Sequence, residues 1–317
     1  MTTIKEEKIP HLDNNPPKFK RHLYPVPLHE NIQRPYFVCC AIGQRGSGKT
    51  YSITRLLLNQ EKSGFIDPIT GEKVAIRHFL FSPTYAGNPV FTALKYLDDD
   101  DIINEYTESK LQEVLDELKE EREKTEDYQK YVEAFKKFEK MTKKEFEKWT
   151  DIDAIMLLES NDFCHYRELE KPKYPNGVVA NIILDDCLGG EAFNAKRKSL
   201  LVKAILNSRH YGINVLIASQ NMKAINKSIR ANTDVWILFR FKSQTIILQD
   251  IYEEISGVLT PEQFLSIYEY ATLEDNNALV IDAKEKDKNN MFKKNLDVIL
   301  RFATTPTNNI NTSNISP

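Results

Sequence analysis

Residues 43–50 read Gly-Gln-Arg-Gly-Ser-Gly-Lys-Thr, a set whose types and spacing suit the holding of a polyphosphate chain. Gly43, Gly46 and Gly48 let the backbone bend so that successive N–H groups turn inward on phosphate oxygens. Gln44, Arg45 and Ser47 lie between them and belong to the same cradle. Lys49 is placed to reach β- and γ-phosphates, and the Thr50 hydroxyl to hold Mg²⁺. A helix starting near Lys49 adds the positive end of its dipole and brings Tyr51 to the site. The spacing G-x-x-x-x-G-K-T is the Walker A pattern. It follows an apolar run (YFVCCAI, 36–42) with strand character. A plain Gly/Ser turn before a surface helix is the other reading, but it needs neither that strand nor the Lys-Thr pair.

A second group complements the loop. The apolar run 178–184 (VVANIIL) ends in Asp185-Asp186. An acidic residue after a buried strand can hold the Mg²⁺ water shell opposite Thr50, the role assigned to Asp185. Asp186 then polarises or orients water for attack on a γ-phosphate. It is shorter than a Glu there would be, so it must sit closer. An Asp-Asp helix N-cap is the alternative. A third run, 213–219 (INVLIAS), ends in Gln220, which can sense the γ-phosphate or position the water. Arg230, and after it Arg209, are candidates for a charge-stabilising arginine acting on a neighbouring subunit's phosphates. His210 has a weaker case, and a surface salt bridge is the alternative for either arginine.

These groups need strands ending at one edge. Residues 74–81, 178–184, 213–219 and 234–240 read as further short apolar strands, with helices over 51–60, 192–210, 244–254 and 261–270 between and after them. Strands at 278–282 and 298–302 flank a turn rich in Lys, Asp and Asn. Alternation of this kind predicts an α/β fold with a mainly parallel sheet flanked by helices. Ligands in such sheets sit at the carboxyl ends of the strands, where the loop, Asp185/Asp186 and Gln220 all fall. Residues 1–34 read as an extended arm, 35–303 as the P-loop domain, and 304–317 as a disordered tail. Residues 105–149 place Leu111, Val114, Leu115, Leu118, Tyr131, Val132, Phe135 and Phe138 at helical spacing. They predict one or two long amphipathic helices, in a charged insert spanning about 98–150. A lid, a subunit contact and a solvated elaboration are the readings of that insert.

The 317 residues carry a net charge of −3 that is unevenly spread. Residues 98–148 hold 18 Asp/Glu against 11 Lys/Arg, whereas 191–244 hold ten Lys/Arg against two Asp/Glu. The basic stretch suggests a polyanionic partner. No apolar run approaches the length of a membrane span. The N-terminus is too charged and Pro-rich for a signal peptide. Cys39, Cys40, Cys164 and Cys187 show neither zinc nor disulfide spacing, which points to reduced thiols in an intracellular protein.

The ordered set GQRGSGKT, NIILDDCLGG, LNSRHYGINVLIASQ and SIRANTDVWILFRF resembles the genome-packaging ATPases of nucleocytoplasmic large DNA viruses, in the FtsK–HerA group of P-loop motors. The resemblance runs from about residue 35 to 242 and more weakly to 302. It implies ATP and Mg²⁺ as cofactors, with Lys49 and Thr50 on the nucleotide, Asp185 and Asp186 as the Walker B pair and Gln220 as sensor. It further implies a ring-shaped homo-oligomer that translocates double-stranded DNA into a capsid, contacts capsid proteins and works in the host cytoplasm. Lys196, Arg197 and Lys198, just past Gly189-Gly190, are the expected contacts to DNA backbone phosphates. A nucleotide kinase, a helicase, and a nucleotide switch that does not hydrolyse are the competing readings.

Overall fold

A computed structural model describes residues 24–29, 33–68, 70–187, 199–241, 244–255 and 259–302. Five apolar runs become the centre of one sheet: β2 (Val38–Ile42), β4 (Lys73–Phe81), β6 (Val178–Asp185), β7 (Ile213–Ser219) and β8 (Val235–Leu238). Their order is β4-β6-β7-β2-β8, all parallel. The strand that carries the glycine loop is therefore central, with β7 between it and the strand that carries the acidic pair. Both edges are antiparallel. On one side lie β1 (Val26–Pro27) and β3 (Phe65–Ile66); on the other, β9 (Leu279–Asp282), β10 (Phe292–Lys294) and β11 (Val298–Ile299). The two-residue β5 (Ile102–Ile103) pairs with the end of β4. The expected Lys/Asp/Asn turn thus contains a strand, β10. Phe292 is its one fully buried side chain, too weak a pattern to read as a strand from sequence.

Alternate residues of each strand feed two cores, as a pleated sheet covered on both faces requires. Val38, Cys40 and Ile42 face one core, Cys39 and Ala41 the other. Helix α1 (Lys49–Ser63) covers the second face with Ile53, Leu56 and Leu57, the stripe its spacing predicts. The first face is covered by α2 (Glu108–Phe138), α5 (Leu200–Leu206), α7 (Lys227–Arg230), α8 (Gln244–Ile255) and α9 (Pro261–Ala271). The short α6 (Ser208–Tyr211) leads into β7.

The charged segment is chiefly one helix. At 31 residues α2 is about 46 Å long, and its halves differ. Leu111, Val114, Leu115 and Leu118 belong to the main core, so the first half is the crossover that returns the chain from β4 to parallel β6. Tyr131, Ala134 and Phe135 leave the sheet and pack with Leu158 of α4 (Ile152–Glu159) in a separate aromatic cluster that also takes in Phe138, Trp149 and Phe163. The short α3 (Lys143–Phe146) makes the turn between them, fixed by a Thr142/Glu145 capping box. Arg77 of β4 anchors the first half. Its buried guanidinium holds Asp101 through two bonds, 2.8 and 2.7 Å, and Glu117 of α2 at 2.5 Å.

Register in the centre is marked by a buried polar row. His78, Asn181 and Asn214 are direct partners across β4, β6 and β7. Asn214 donates to Asn181 at 2.8 Å and accepts the Tyr36 and Phe37 amides, and His78 meets Glu61 of α1 at 3.0 Å. A one-residue slip of any strand would turn its polar member to the opposite face and leave the others unpartnered.

Candidate functional site

The site is assembled by strand ends. Asp185, the last residue of β6, is level with Ala218 of β7, which is level with Ala41 of β2. One residue further on, the Gly43 amide donates to the Ser219 carbonyl at 3.2 Å, and the glycine loop begins. Gly43 itself is sterically required. A Cβ there would lie 2.5 Å from Ser47 Oγ and 2.7 Å from Phe239 Cβ. Gly46 and Gly48 adopt φ of 75° and 98°, left-handed conformations that favour glycine.

Helix α1 starts at Lys49, as expected from the spacing. The Lys49 ammonium lies inside the loop, donating to the Gly43 and Gln44 carbonyls at 2.9 and 2.8 Å. Thr50 Oγ1 donates to the Asp185 carboxylate, 3.1 Å from Oδ1 and 3.3 Å from Oδ2, across 135 residues of sequence. Asp186 stands beside it in a left-handed conformation, φ 52°, that turns the chain out of the strand. Gln220 Nε2 donates to Asp186 Oδ1 at 2.8 Å. The structure thus brings Lys49, Thr50, Asp185, Asp186 and Gln220 into one site, at the edge the strand pattern indicated.

Burial, above all, lowers the proton affinity of the Lys49 amine, with Asp185 and Asp186 opposing the shift. It raises the Asp185 carboxyl above the usual carboxylate range, against the Thr50 bond and Lys49. Each charged form is therefore penalised by desolvation, and each would be favoured by an opposite charge brought into the site. A polyphosphate beside Lys49 and a divalent cation between Thr50 and Asp185 would supply those charges. The donor set fits: Mg²⁺ takes one or two carboxylates and completes its shell with water and phosphate oxygens. Among the described residues no cluster of three or more His, Cys, Asp or Glu offers an all-protein metal cage. Ser47 Oγ, buried without a hydrogen-bond partner, is a further polar atom facing into the loop region.

Other expected residues lie elsewhere. Gln44 is half-buried in the loop and Arg45 is exposed. Tyr51 is 61% exposed on the first turn of α1. Arg230 ends α7, where the chain returns to the amino ends of the strands. The Arg230 carbonyl accepts from the Thr233 amide, and Asp234 bonds Val38 at the start of β2. Its side chain pairs with Asp250 of α8 at 3.4 Å. Arg209 lies at the same edge, its guanidinium 5.6 Å from the Tyr24 ring centroid. Among the described residues, neither side chain makes a hydrogen bond or ion pair with the loop of its own chain. Lys196, Arg197 and Lys198, with Gly189 and Gly190, fall outside the described residues.

Sequence reasoning missed one wall. A cavity of ≈ 410 Å³ opens beside Gly48, lined by Tyr51, Ser52, Asn276, Asn277 and Leu296 among others. The turns before β9 and after β10 supply the last three. Asn276 and Asn295 have φ of 62° and 55°, and the available signal was asparagine at turn positions, where its left-handed conformation is tolerated.

No family model matches the chain, and no curated protein matches its sequence. Solved structures do. The genome packaging NTPase B204 from Sulfolobus turreted icosahedral virus 2, in complex with ATP-gammaS, is similar at 14% identity, with 84% of this chain and 100% of that chain covered and a TM-score of 0.44. EssC (ATPases 2 and 3) from Geobacillus thermodenitrificans is similar at 17% identity over 80% of this chain and 38% of that one, TM-score 0.42. The Type VII secretion ATPase EccC of Thermomonospora curvata, cytoplasmic domain, is similar at 17% identity over 83% of this chain and 29% of that one, TM-score 0.39.

Proposed function

We propose that the chain is a Mg²⁺-dependent ATPase that drives double-stranded DNA into a viral capsid. Hydrolysis is supported chiefly by one observation: the Gln220–Asp186 hydrogen bond stands beside the Thr50–Asp185 pair at the mouth of a glycine loop. A loop alone binds phosphates. A carboxylate held by an amide next to it is what orients a water for in-line attack. Mg²⁺, which Thr50 and Asp185 would hold, would supply positive charge that offsets the charge developing in phosphoryl transfer. In that reading Lys49 would bind phosphate, Thr50 and Asp185 would hold the ion, Asp186 would take the proton of the attacking water, and Gln220 would fix Asp186.

The DNA reading has different support. It rests on the basic stretch 191–244 and on the motif resemblance of the segments around Asp185, Gln220 and Arg230. Sequence-independent contacts to backbone phosphates suit a translocating motor, and Lys196, Arg197 and Lys198 are the proposed ones. The ring, the capsid partner and a place in the host cytoplasm follow from the motif resemblance.

Phosphate release measured with and without long duplex DNA is the test. Stimulated turnover, lost when Lys196, Arg197 and Lys198 are all replaced by Gln, supports the motor. Transfer to an acceptor would instead mark a kinase, and tight binding without turnover a switch.

A further inference from the structure

Phe239 lies directly beneath the glycine loop. It is 1% exposed, and its ring spans the loop from first glycine to last. A Cβ at Gly43 would lie 3.1 Å from Phe239 Cδ2, and one at Gly48 3.4 Å from Cε1, the opposite corner of the ring. A shift of that ring would open a gap under both glycines at once, and the contacts across it would be lost.

The strand alone does not fix this ring. Along β8 the side chains alternate between the two cores: Val235, Ile237 and Phe239 enter the one beneath α1, Trp236 and Leu238 the other. Continued alternation would send Phe241 to the same side as Phe239. Phe241 instead packs in the opposite core, stacked on Tyr268 of α9 with ring centroids 6.2 Å apart. The pleat therefore breaks at Arg240, and a main-chain carbonyl and amide flank the break. One buried hydroxyl takes both. Tyr268 Oη donates to the Phe239 carbonyl at 3.0 Å and accepts the Phe241 amide at 3.1 Å. On its other side the Phe239 amide donates to the Ile42 carbonyl at 2.9 Å. Phe239 is thus held by β2 through its N–H and by α9 through its C=O.

We propose that Tyr268 is a positioning residue for the phosphate loop, acting through Phe239. Its hydroxyl fixes the break in the pleat, the break aims the Phe239 ring, and the ring supports Gly43 and Gly48 so that the loop amides are already set for phosphate. A binding loop held in its working shape loses less ordering entropy on binding. Without the hydroxyl, the Phe239 carbonyl and the Phe241 amide are buried with no partner, and the chain relaxes around them. The ring is then free to leave the loop.

This inference rests on the phosphate-loop reading, and the experiment separates the two. Binding of inorganic tripolyphosphate with Mg²⁺ is titrated calorimetrically on the full chain and its variants, beside urea unfolding of each. Tyr268→Phe keeps the ring and its packing and removes only the hydroxyl, and affinity should fall about tenfold. Phe239→Leu keeps the place apolar but cannot span both glycines, and should lose a similar factor. The double variant should bind little worse than either single one, because the two residues act in series. Thr260→Ala removes the cap of α9, which destabilises the same helix without touching the hydroxyl's partners, and should leave affinity unchanged. Unchanged affinity in Tyr268→Phe or in Phe239→Leu overturns the proposal. So do multiplied losses in the double variant, or a loss in Thr260→Ala equal to that in Tyr268→Phe. Failure of the unmodified chain to bind tripolyphosphate, or binding indifferent to Lys49→Ala, overturns the phosphate loop and the positioning role with it.

Discussion

Gln220 holds Asp186: its side-chain amide donates to Oδ1 at 2.8 Å, across 34 residues and from the end of the next strand. On the proposed function, the pair joins the group that takes a proton to the group that fixes its aim. Asp186→Asn should leave nucleotide binding largely intact and slow turnover by roughly 10²-fold or more. Gln220→Ala should slow turnover as well. Because the two act as a unit, the double variant should cost far less than the product of the single losses. Single-turnover hydrolysis measures all three, and multiplicative losses would show that the residues act separately.

Gly43→Ala should destabilise the fold. Its new methyl group would meet Ser47 Oγ and Phe239 Cβ inside van der Waals contact. Ser47 can rotate away, but Phe239 directly follows β8 and its amide donates to the Ile42 carbonyl at the end of β2 at 2.9 Å, so its Cβ moves only with the sheet. A loss of about 1–3 kcal/mol is expected for such overpacking, read from urea unfolding. An unchanged midpoint would mean that the loop yields freely.

Two carboxylates on Arg77 should behave differently. Asp101 is 3% exposed, and Asp101→Ala leaves a buried guanidinium without its two-bond partner, a cost of about 3–5 kcal/mol. The Glu117 side chain is 46% exposed, and Glu117→Ala should cost under about 1 kcal/mol. Chemical denaturation of the two variants reads the contrast, and equal losses would contradict it.

Arg230 acts, on our proposal, on the phosphates of a neighbouring subunit, since it sits at the amino ends of the strands of its own chain. Mixing Arg230→Ala with Lys49→Ala chains should restore part of the ATPase activity that each lacks alone. Absence of any rescue across mixing ratios, with assembly intact by mass measurement, counts against the role.

Thiol reactivity should be confined. Burial pushes the Cys40 and Cys187 thiols up to about 12 and holds Cys39 well above its ordinary value. All three are buried, whereas Cys164 is partly exposed, though desolvation and Glu168 raise its thiol too. Iodoacetamide on the native protein near pH 8 should modify Cys164 first and slowly, with the other three reacting only on unfolding. Peptide mass mapping identifies the site.

Local chemistry was legible from the chain alone. A glycine loop with Lys-Thr can be read because its function depends on backbone conformations and side chains that are consecutive. The central strands can be read because a parallel sheet covered on both faces demands runs of apolar residues, and β7 falls on the residues its run predicts. The stripe Ile53, Leu56 and Leu57 faces the core for the same periodic reason. Tertiary structure decided what depends on register and approach. Nothing in VVANIIL specifies which residue of a neighbouring strand it lies beside. The row His78, Asn181 and Asn214 does so, by making every other register leave a buried polar group unpaired. That register brings Asp185 to Thr50 and Asp186 to Gln220. The split of α2 between the main core and an outlying cluster, and the wall that Asn276 and Leu296 add beside the loop, likewise come from segments far apart in sequence. Their weak local patterns acquire meaning only once the sheet sets them side by side.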